Sequence, residues 1–373
     1  MKTVDFGLMP ATMGCVTTEP DEDRFYPMRW AINANGLLAV CDPPPLGEVY
    51  VDQHSEPTVS QVWRDHHNEF GDFLLTGLEQ RQILEVGGGS GYLAALTAAK
   101  APEGLVWTIL EPFIPDDIPQ TPGVEWIEGW FPENAPPTKS SCIVATHVLE
   151  HSTDPLKFLV SCADQLEADG QLFLSWPNMT KMAERVDLNM LNFEHLHFLP
   201  LETVEGLLVS AGFEIETIQD FRGHSIFIRA RKSVTPFQAG ADSNVNNAPL
   251  LDLAQNYRNS LDELVASMNK EQSNWSGEIS IFGAHIFSQY LLARGLELRP
   301  GTRLLDNSTS KRGKRLCGTK LFVESPEVLR EKTDQLILVA AALYEVEILE
   351  QLRSLGLSSS RIVTSRAGSF NLV

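Results

Sequence analysis

Residues 83–91 read Ile-Leu-Glu-Val-Gly-Gly-Gly-Ser-Gly, a short apolar strand running straight into a glycine turn, and Tyr92 to Ala99 follow as helix-forming residues. Glycine carries no Cβ, so such a turn can bend tightly and let a ligand lie against its backbone. Strand, glycine turn and helix make the corner of an open α/β sheet where nucleotides bind, beyond the carboxyl ends of the strands. The fold class expected is therefore α/β, with a Rossmann-like domain at the centre of the chain.

The spacing restricts the ligand. A dinucleotide site shows G-x-G-x-x-G, whereas this turn reads Glu85-x-Gly87-x-Gly89-x-Gly91. An acidic residue in the strand repels pyrophosphate and suits a cationic ligand or a backbone N–H. No G-x-x-x-x-G-K-[S/T] phosphate loop is present. The pattern resembles motif I of the class I S-adenosylmethionine (SAM) methyltransferases; taken alone, an ordinary tight turn would look the same.

Downstream elements agree with the resemblance. Val106 to Leu110 reads as a second strand ending at Glu111, which stands 20 positions after Gly91. An acidic residue there can accept both hydroxyls of a ribose, the alternative being a solvated loop carboxylate. Val124 to Phe131 reads as a third strand whose Trp130 and Phe131 could flank an adenine ring. Cys142 to Thr146 is a fourth strand, followed by His147-Val148-Leu149-Glu150-His151 and Asp154-Pro155. That string is similar to motif IV of small-molecule methyltransferases of this class, and His147 joins the expected cofactor set. A helix over Phe158–Leu166, a strand over Gly170–Pro177, a helix over Phe198–Ala211 and strands at Phe213–Ile218 and Ser225–Arg229 complete the domain.

The chain has 373 residues, long enough for two to three domains. The expected division is an N-terminal substrate-recognition region over 1–75, the SAM domain over 76–235, a polar linker over 236–250, and a smaller Rossmann-like domain over 251–373. The last begins with Glu278-Ile279-Ser280-Ile281-Phe282-Gly283-Ala284-His285, another strand entering a small-residue turn. A formal net charge of −20 argues against nucleic acid and anionic membrane surfaces as partners, because phosphate contacts need clustered Lys and Arg. Five scattered cysteines and no apolar run of membrane-spanning length fit a reducing, cytoplasmic setting.

The three-part order resembles the sugar C-methyltransferases of deoxysugar biosynthesis, through Tyr26-Pro27-Met28, Asn35-Gly36-Leu37-Leu38 and Asn192-Phe193-Glu194-His195-Leu196-His197. In that family a Glu-His pair follows the fifth strand, and its histidine removes the proton next to a ketone. The resemblance implies SAM as cofactor, S-adenosylhomocysteine as product, and a sugar or sugar nucleotide as acceptor. Two departures stand out. The family's N-terminal zinc cysteines are missing, since only Cys15 and Cys41 fall in that stretch and no C-x-x-C occurs, so no zinc is expected. No other metal is expected either, the minor alternative being a site assembled from Glu150, His151, Asp187 and Glu194, which their spacing does not demand. The family's tyrosine after Glu-His is replaced by His197.

Methyl transfer from a sulfonium is an in-line displacement, so the protein's task is positioning and, for an alcohol or a carbon acid, removing a proton. Histidine suits that task near neutral pH. His195 is the first candidate, with Glu194 orienting it and with His197 and His151 as further candidates; the bland alternative has these residues capping the next helix. Tyr50, His54 and His66 lie in a stretch rich in sugar-bonding side chains and are the expected substrate contacts. Methylation of a non-sugar natural product or capsule component, or a non-catalytic SAM- or partner-binding role, are the alternatives.

Overall fold

The computed structural model describes residues 2–49, 61–79, 81–101, 103–114, 118, 121–233, 248–341, 344–357, 359–364 and 368–371. Tyr50 and His54 lie outside the described residues, as does most of the expected linker. The chain forms two compact units, one comprising residues 52–181 and 196–245, the other residues 1–51, 182–195 and 246–373.

The first unit is built on one sheet. Its strands are β1 (Gln82–Val86), β2 (Val106–Glu111), β3 (Val124–Glu128), β4 (Ser140–Thr146), β5 (Leu166–Pro177), β6 (Phe213–Phe221) and β7 (Ser225–Lys232). They lie in the order β6-β7-β5-β4-β1-β2-β3. β3, β2, β1, β4 and β5 run parallel, and β7 pairs antiparallel with both β5 and β6. The direction of winding reverses between β1 and β4, which opens a crevice at their carboxyl ends.

Four helices cover the faces of this sheet: α1 (Gln61–Gly77), α2 (Tyr92–Ala98), α3 (Pro155–Gln165) and α4 (Leu201–Ser210). Alternate residues of each strand enter opposite cores, as the two-residue period of a strand requires. Leu84, Val86, Ile143, Ala145, Leu172 and Leu174 join the core that holds Phe158, Leu159 and Leu208. Ile83, Cys142, Val144 and Phe173 join the other, with Phe70, Leu74 and Leu93. Because both faces are covered, the central strands read as continuous apolar runs rather than alternating ones. Asp154 caps α3 by accepting the Lys157 amide, with Pro155 at its first turn. Gly71 lets α1 approach α2 closely, since a Cβ there would stand 2.8 Å from Thr97 Oγ1.

Two elements differ from the sequence reading. The third strand ends at Glu128 rather than continuing to Phe131, because Gly129 takes a φ of +148° and turns the chain. The helix expected from Phe198 begins at Leu201 behind Pro200, and His197–Phe198 are extended. Proline imposes this boundary, since it disfavours helical backbone in the residue before it.

The second unit holds the expected smaller sheet. Strands Val323–Glu324, Arg303–Leu305, Glu278–Phe282, Gln335–Val339 and Arg361–Thr364 lie side by side and parallel, with Gly368–Asn371 antiparallel at the edge. The N-terminal strands Thr3–Pro10, Phe25–Ile32 and Leu38–Val40 pair antiparallel within the same unit. A buried ion pair ties these segments together: Arg315 reaches both carboxylate oxygens of Asp23, at 2.7 and 2.8 Å. The Gly318 amide adds a third bond to Asp23 at 2.8 Å, so the buried charges are paired and hydrogen-bonded. All five cysteines are free thiols. No helix among the described residues is long and apolar enough to cross a membrane.

Candidate active site

The glycine turn lies at the carboxyl end of β1, and Gly87, Gly89 and Gly91 take φ values of +71°, +54° and +72°. Their surroundings divide their roles. A Cβ on Gly87 would stand 2.7 Å from Val148 Cγ2, and one on Gly91 2.6 Å from the Trp126 ring. Both positions face protein and are glycine because the turn is packed. A Cβ on Gly89 would meet nothing within 4 Å, so that glycine faces open space.

Glu111, at the end of β2, reaches the same open side. Its Oε2 accepts the Gly89 amide at 2.9 Å and its Oε1 the Phe113 amide at 3.2 Å. Burial lifts its carboxyl above the usual range, against the pull of those two amides. Glu85 lies on the inner side of the turn, buried, with Oε2 accepting the Trp107 indole N–H at 2.8 Å. Burial pushes its carboxyl up to about 7, with the Trp107 bond lowering it and the Glu111 charge raising it. Glu85 thus supports the turn from inside the core, and Glu111 is the carboxylate beside its open side. Open space over Gly89 beside a carboxylate at the strand end fits a ribose with its two vicinal hydroxyls.

The two aromatic candidates separate. Trp130 is 51% exposed and meets Phe113 edge-on at 5.8 Å, whereas Phe131 turns inward against Phe158 at 5.5 Å. Trp126, beneath Gly91, was not singled out by the sequence because an aromatic residue within a strand reads as ordinary core.

His147 follows β4 with a φ of +55°. Its Nε2 bonds Ser225 Oγ at 3.0 Å, and its Nδ1 lies 3.1 Å from Glu150 Oε1. His151 Nε2 lies 3.8 Å from the same carboxylate oxygen. The two histidines therefore converge on the buried Glu150 across a 3-10 turn, Leu149–His151, rather than through a regular α-helix. His66 is fully buried, its Nε2 2.8 Å from Ser175 Oγ and its ring among Phe70, Phe221 and Phe227. Burial holds it well below the ordinary histidine range. His67, also buried and lowered, meets Tyr92 at the start of α2, 5.4 Å away.

His197 is buried, and burial lowers it, against a bond to the Ser152 backbone and the charge of Asp154. Glu194 and His195 fall in the compact unit that comprises residues 1–51, 182–195 and 246–373. Their backbone is held by an Asn192 turn, in which Oδ1 accepts the Glu194 and His195 amides at 2.9 and 2.8 Å. His195 Nδ1 stands 3.2 Å from the Met190 carbonyl.

Residues 58–218 match the family model of a methyltransferase domain. That match spans less than half of the chain, and the central segment is similar to a methyltransferase domain. SAM is the cofactor of its class. Two Mycobacterium tuberculosis sequences, from different strains and both named as a probable S-adenosylmethionine-dependent methyltransferase, are 28% identical to this chain over 156 residues. The match covers 42% of this chain and 57% of each relative, so it spans little more than half of their length. Among solved structures, the N-methyltransferase NodS of Bradyrhizobium japonicum with S-adenosyl-L-homocysteine is 14% identical, with a TM-score of 0.36, over 48% of this chain and 92% of its own. A SAM-dependent methyltransferase of Mesorhizobium loti is 13% identical, with a TM-score of 0.37, over 47% of this chain and all of its own. The matched segment, residues 58–218, includes the glycine turn, Glu111 and His147.

Proposed function

We propose that this protein transfers a methyl group from SAM to a small-molecule acceptor of the sugar or sugar-nucleotide class, at carbon or oxygen, with a histidine taking the acceptor's proton. The observation that carries the SAM part is the Glu111 carboxylate, held by the Gly89 amide beside the open side of the turn. Glu111 would accept the two hydroxyls of a bound ribose, and charge-assisted bonds of this kind are among the stronger ones. SAM, when bound, supplies the sulfonium methyl. The chain's own residues position the acceptor and exclude water.

The acceptor part rests on the resemblance around Glu194 and His195 and on how that histidine is held. With the Met190 carbonyl beside Nδ1, the proton belongs on Nδ1, which leaves Nε2 as the basic nitrogen. A histidine in this tautomer can receive a proton from an alcohol or from a carbon next to a carbonyl. The direct test is incubation of the full chain with methyl-labelled SAM and two acceptor panels, nucleotide sugars and non-sugar phenols or amines. Label in a nucleotide sugar, with turnover lost in His195→Ala, is the expected result. Label only in the second panel overturns the sugar reading, and unchanged turnover in His195→Ala overturns the base.

A further inference from the structure

We propose that Glu150, His147, Ser225 and His224 form a single proton relay along the carboxyl edge of the methyltransferase sheet. His147 follows β4 and Ser225 opens β7, 78 residues later, yet their side chains meet at 3.0 Å. His224 Nδ1 lies 2.7 Å from the same Ser225 Oγ, which is closed to solvent. At the other end Glu150, fully buried, sets its Oε1 3.1 Å from His147 Nδ1. Four polar side chains from two separate stretches of chain thus form one line, bounded by Trp63 at 4.8 Å from the His147 ring and 5.0 Å from the His224 ring.

The charge at one end orders the protons along the line. A carboxylate at 3.1 Å stabilises a proton on His147 Nδ1, so Nε2 carries the lone pair and accepts the Ser225 hydroxyl proton. Ser225 Oγ then receives the Nδ1–H of His224. This leaves Nε2 of His224 as the basic nitrogen of the line. A proton that bonds there releases the Nδ1 proton of His224 to Ser225, whose own proton passes to His147 Nε2. Ser225 gains one proton as it loses one, His224 exchanges its Nδ1 proton for one on Nε2, and His147 gains the one proton that entered. The net result is an imidazolium at His147 beside the Glu150 carboxylate and a neutral His224 with its proton on the opposite nitrogen. The positive charge comes to rest where a buried anion is already present, the one place in the cluster where it is stabilised.

Other titratable groups face His147. His66 and His67 project from α1, with the His66 ring 5.2 Å from that of His147, and burial lowers both from the ordinary histidine range. His151 shares the Glu150 oxygen at 3.8 Å. Asp220, on the turn that carries His224, is engaged by the Gly223 amide and by Asn178. The relay rests on the two Ser225 hydrogen bonds and the close approach of Glu150 to His147; its use in methyl transfer rests on the function proposed above.

Nitrogen-15 NMR of the full chain labelled at histidine, followed from about pH 5 to 9, tests the proposal without any acceptor. The expected spectra place the proton on Nδ1 of both His147 and His224 in the neutral form. Ser225→Ala changes the Nδ1-H to Nε2-H tautomer ratio of both histidines, and Ser225→Thr, which keeps the hydroxyl, restores it. Glu150→Gln moves the neutral-form proton of His147 away from Nδ1 and provides a second route should Ser225→Ala fail to fold. A proton on Nε2 of His147 in the wild type, or tautomer ratios indifferent to both Ser225→Ala and Glu150→Gln, overturns the relay. S-adenosylhomocysteine titrated calorimetrically into the same samples reports separately on the cofactor reading, so either idea can fail alone.

Discussion

Glu85 hands no charge to the ligand side of the glycine turn; its Oε2 accepts the Trp107 indole at 2.8 Å inside the core. That burial makes the side chain a pH-dependent element of stability. Its folded-state carboxyl titrates near 7, against an ordinary value of 4.5, so between these values the folded chain holds a proton that the unfolded chain has released. The stability contributed by the group is therefore complete below about pH 4.5 and is lost as pH rises through about 7, in total of order 3 kcal/mol. Glu85→Gln keeps an oxygen acceptor for Trp107 and removes the titration. The variant should match the wild type near pH 5 and exceed it near pH 8 in denaturant unfolding. An equal difference at both pH values would refute this.

His66 gives the opposite slope. Burial holds its folded-state value well below 6.5, so the unfolded chain binds a proton that the folded one refuses as the solution is acidified. Stability from this group is present above about pH 6.5 and is lost as pH falls below it. His66→Gln stays neutral throughout. The wild type should thus lose stability more steeply than the variant between about pH 6.5 and 5, and parallel loss would count against the burial account.

Gly89 and Gly91 share a left-handed backbone but differ in what lies beside them. Alanine at either position costs roughly 1–2 kcal/mol of backbone strain. At Gly91 the new methyl also meets Trp126 at 2.6 Å, while at Gly89 it stands in open space. Gly91→Ala should therefore lower the unfolding midpoint further than Gly89→Ala. Gly89→Ala should instead fold almost normally and bind S-adenosylhomocysteine weakly. Equal destabilisation by the two would contradict the division of roles.

The parts of the site that were legible in the sequence are those in which local pattern and function coincide. The strand, the glycines and the acid 20 residues later lie within one strand–helix–strand unit, whose geometry follows from period and turn chemistry alone. The second sheet was legible for the same reason, from its alternating strand and helix patterns. What escaped is long-range. Trp107 bonds Glu85 from 22 residues away and Ser225 bonds His147 from 78, and no spacing along the chain announces either contact. The Asp23–Arg315 pair joins residues 292 positions apart. The burial of His66 against Phe70 and Phe227 likewise depends on how α1 packs, which the polar stretch around it does not announce.

The claim on which the rest depends is that Glu111 holds the ribose of SAM. Calorimetric titration of S-adenosylhomocysteine into the full chain, beside Glu111→Ala, measures this most directly. Two charge-assisted bonds at about 1.5–3 kcal/mol each set the scale, so the variant should bind at least about 10-fold more weakly while keeping its unfolding midpoint. Saturable one-site binding by the wild type with that loss in the variant is the expected result. A folded wild type that gives no heat, or a variant that binds as tightly as the wild type, would contradict it.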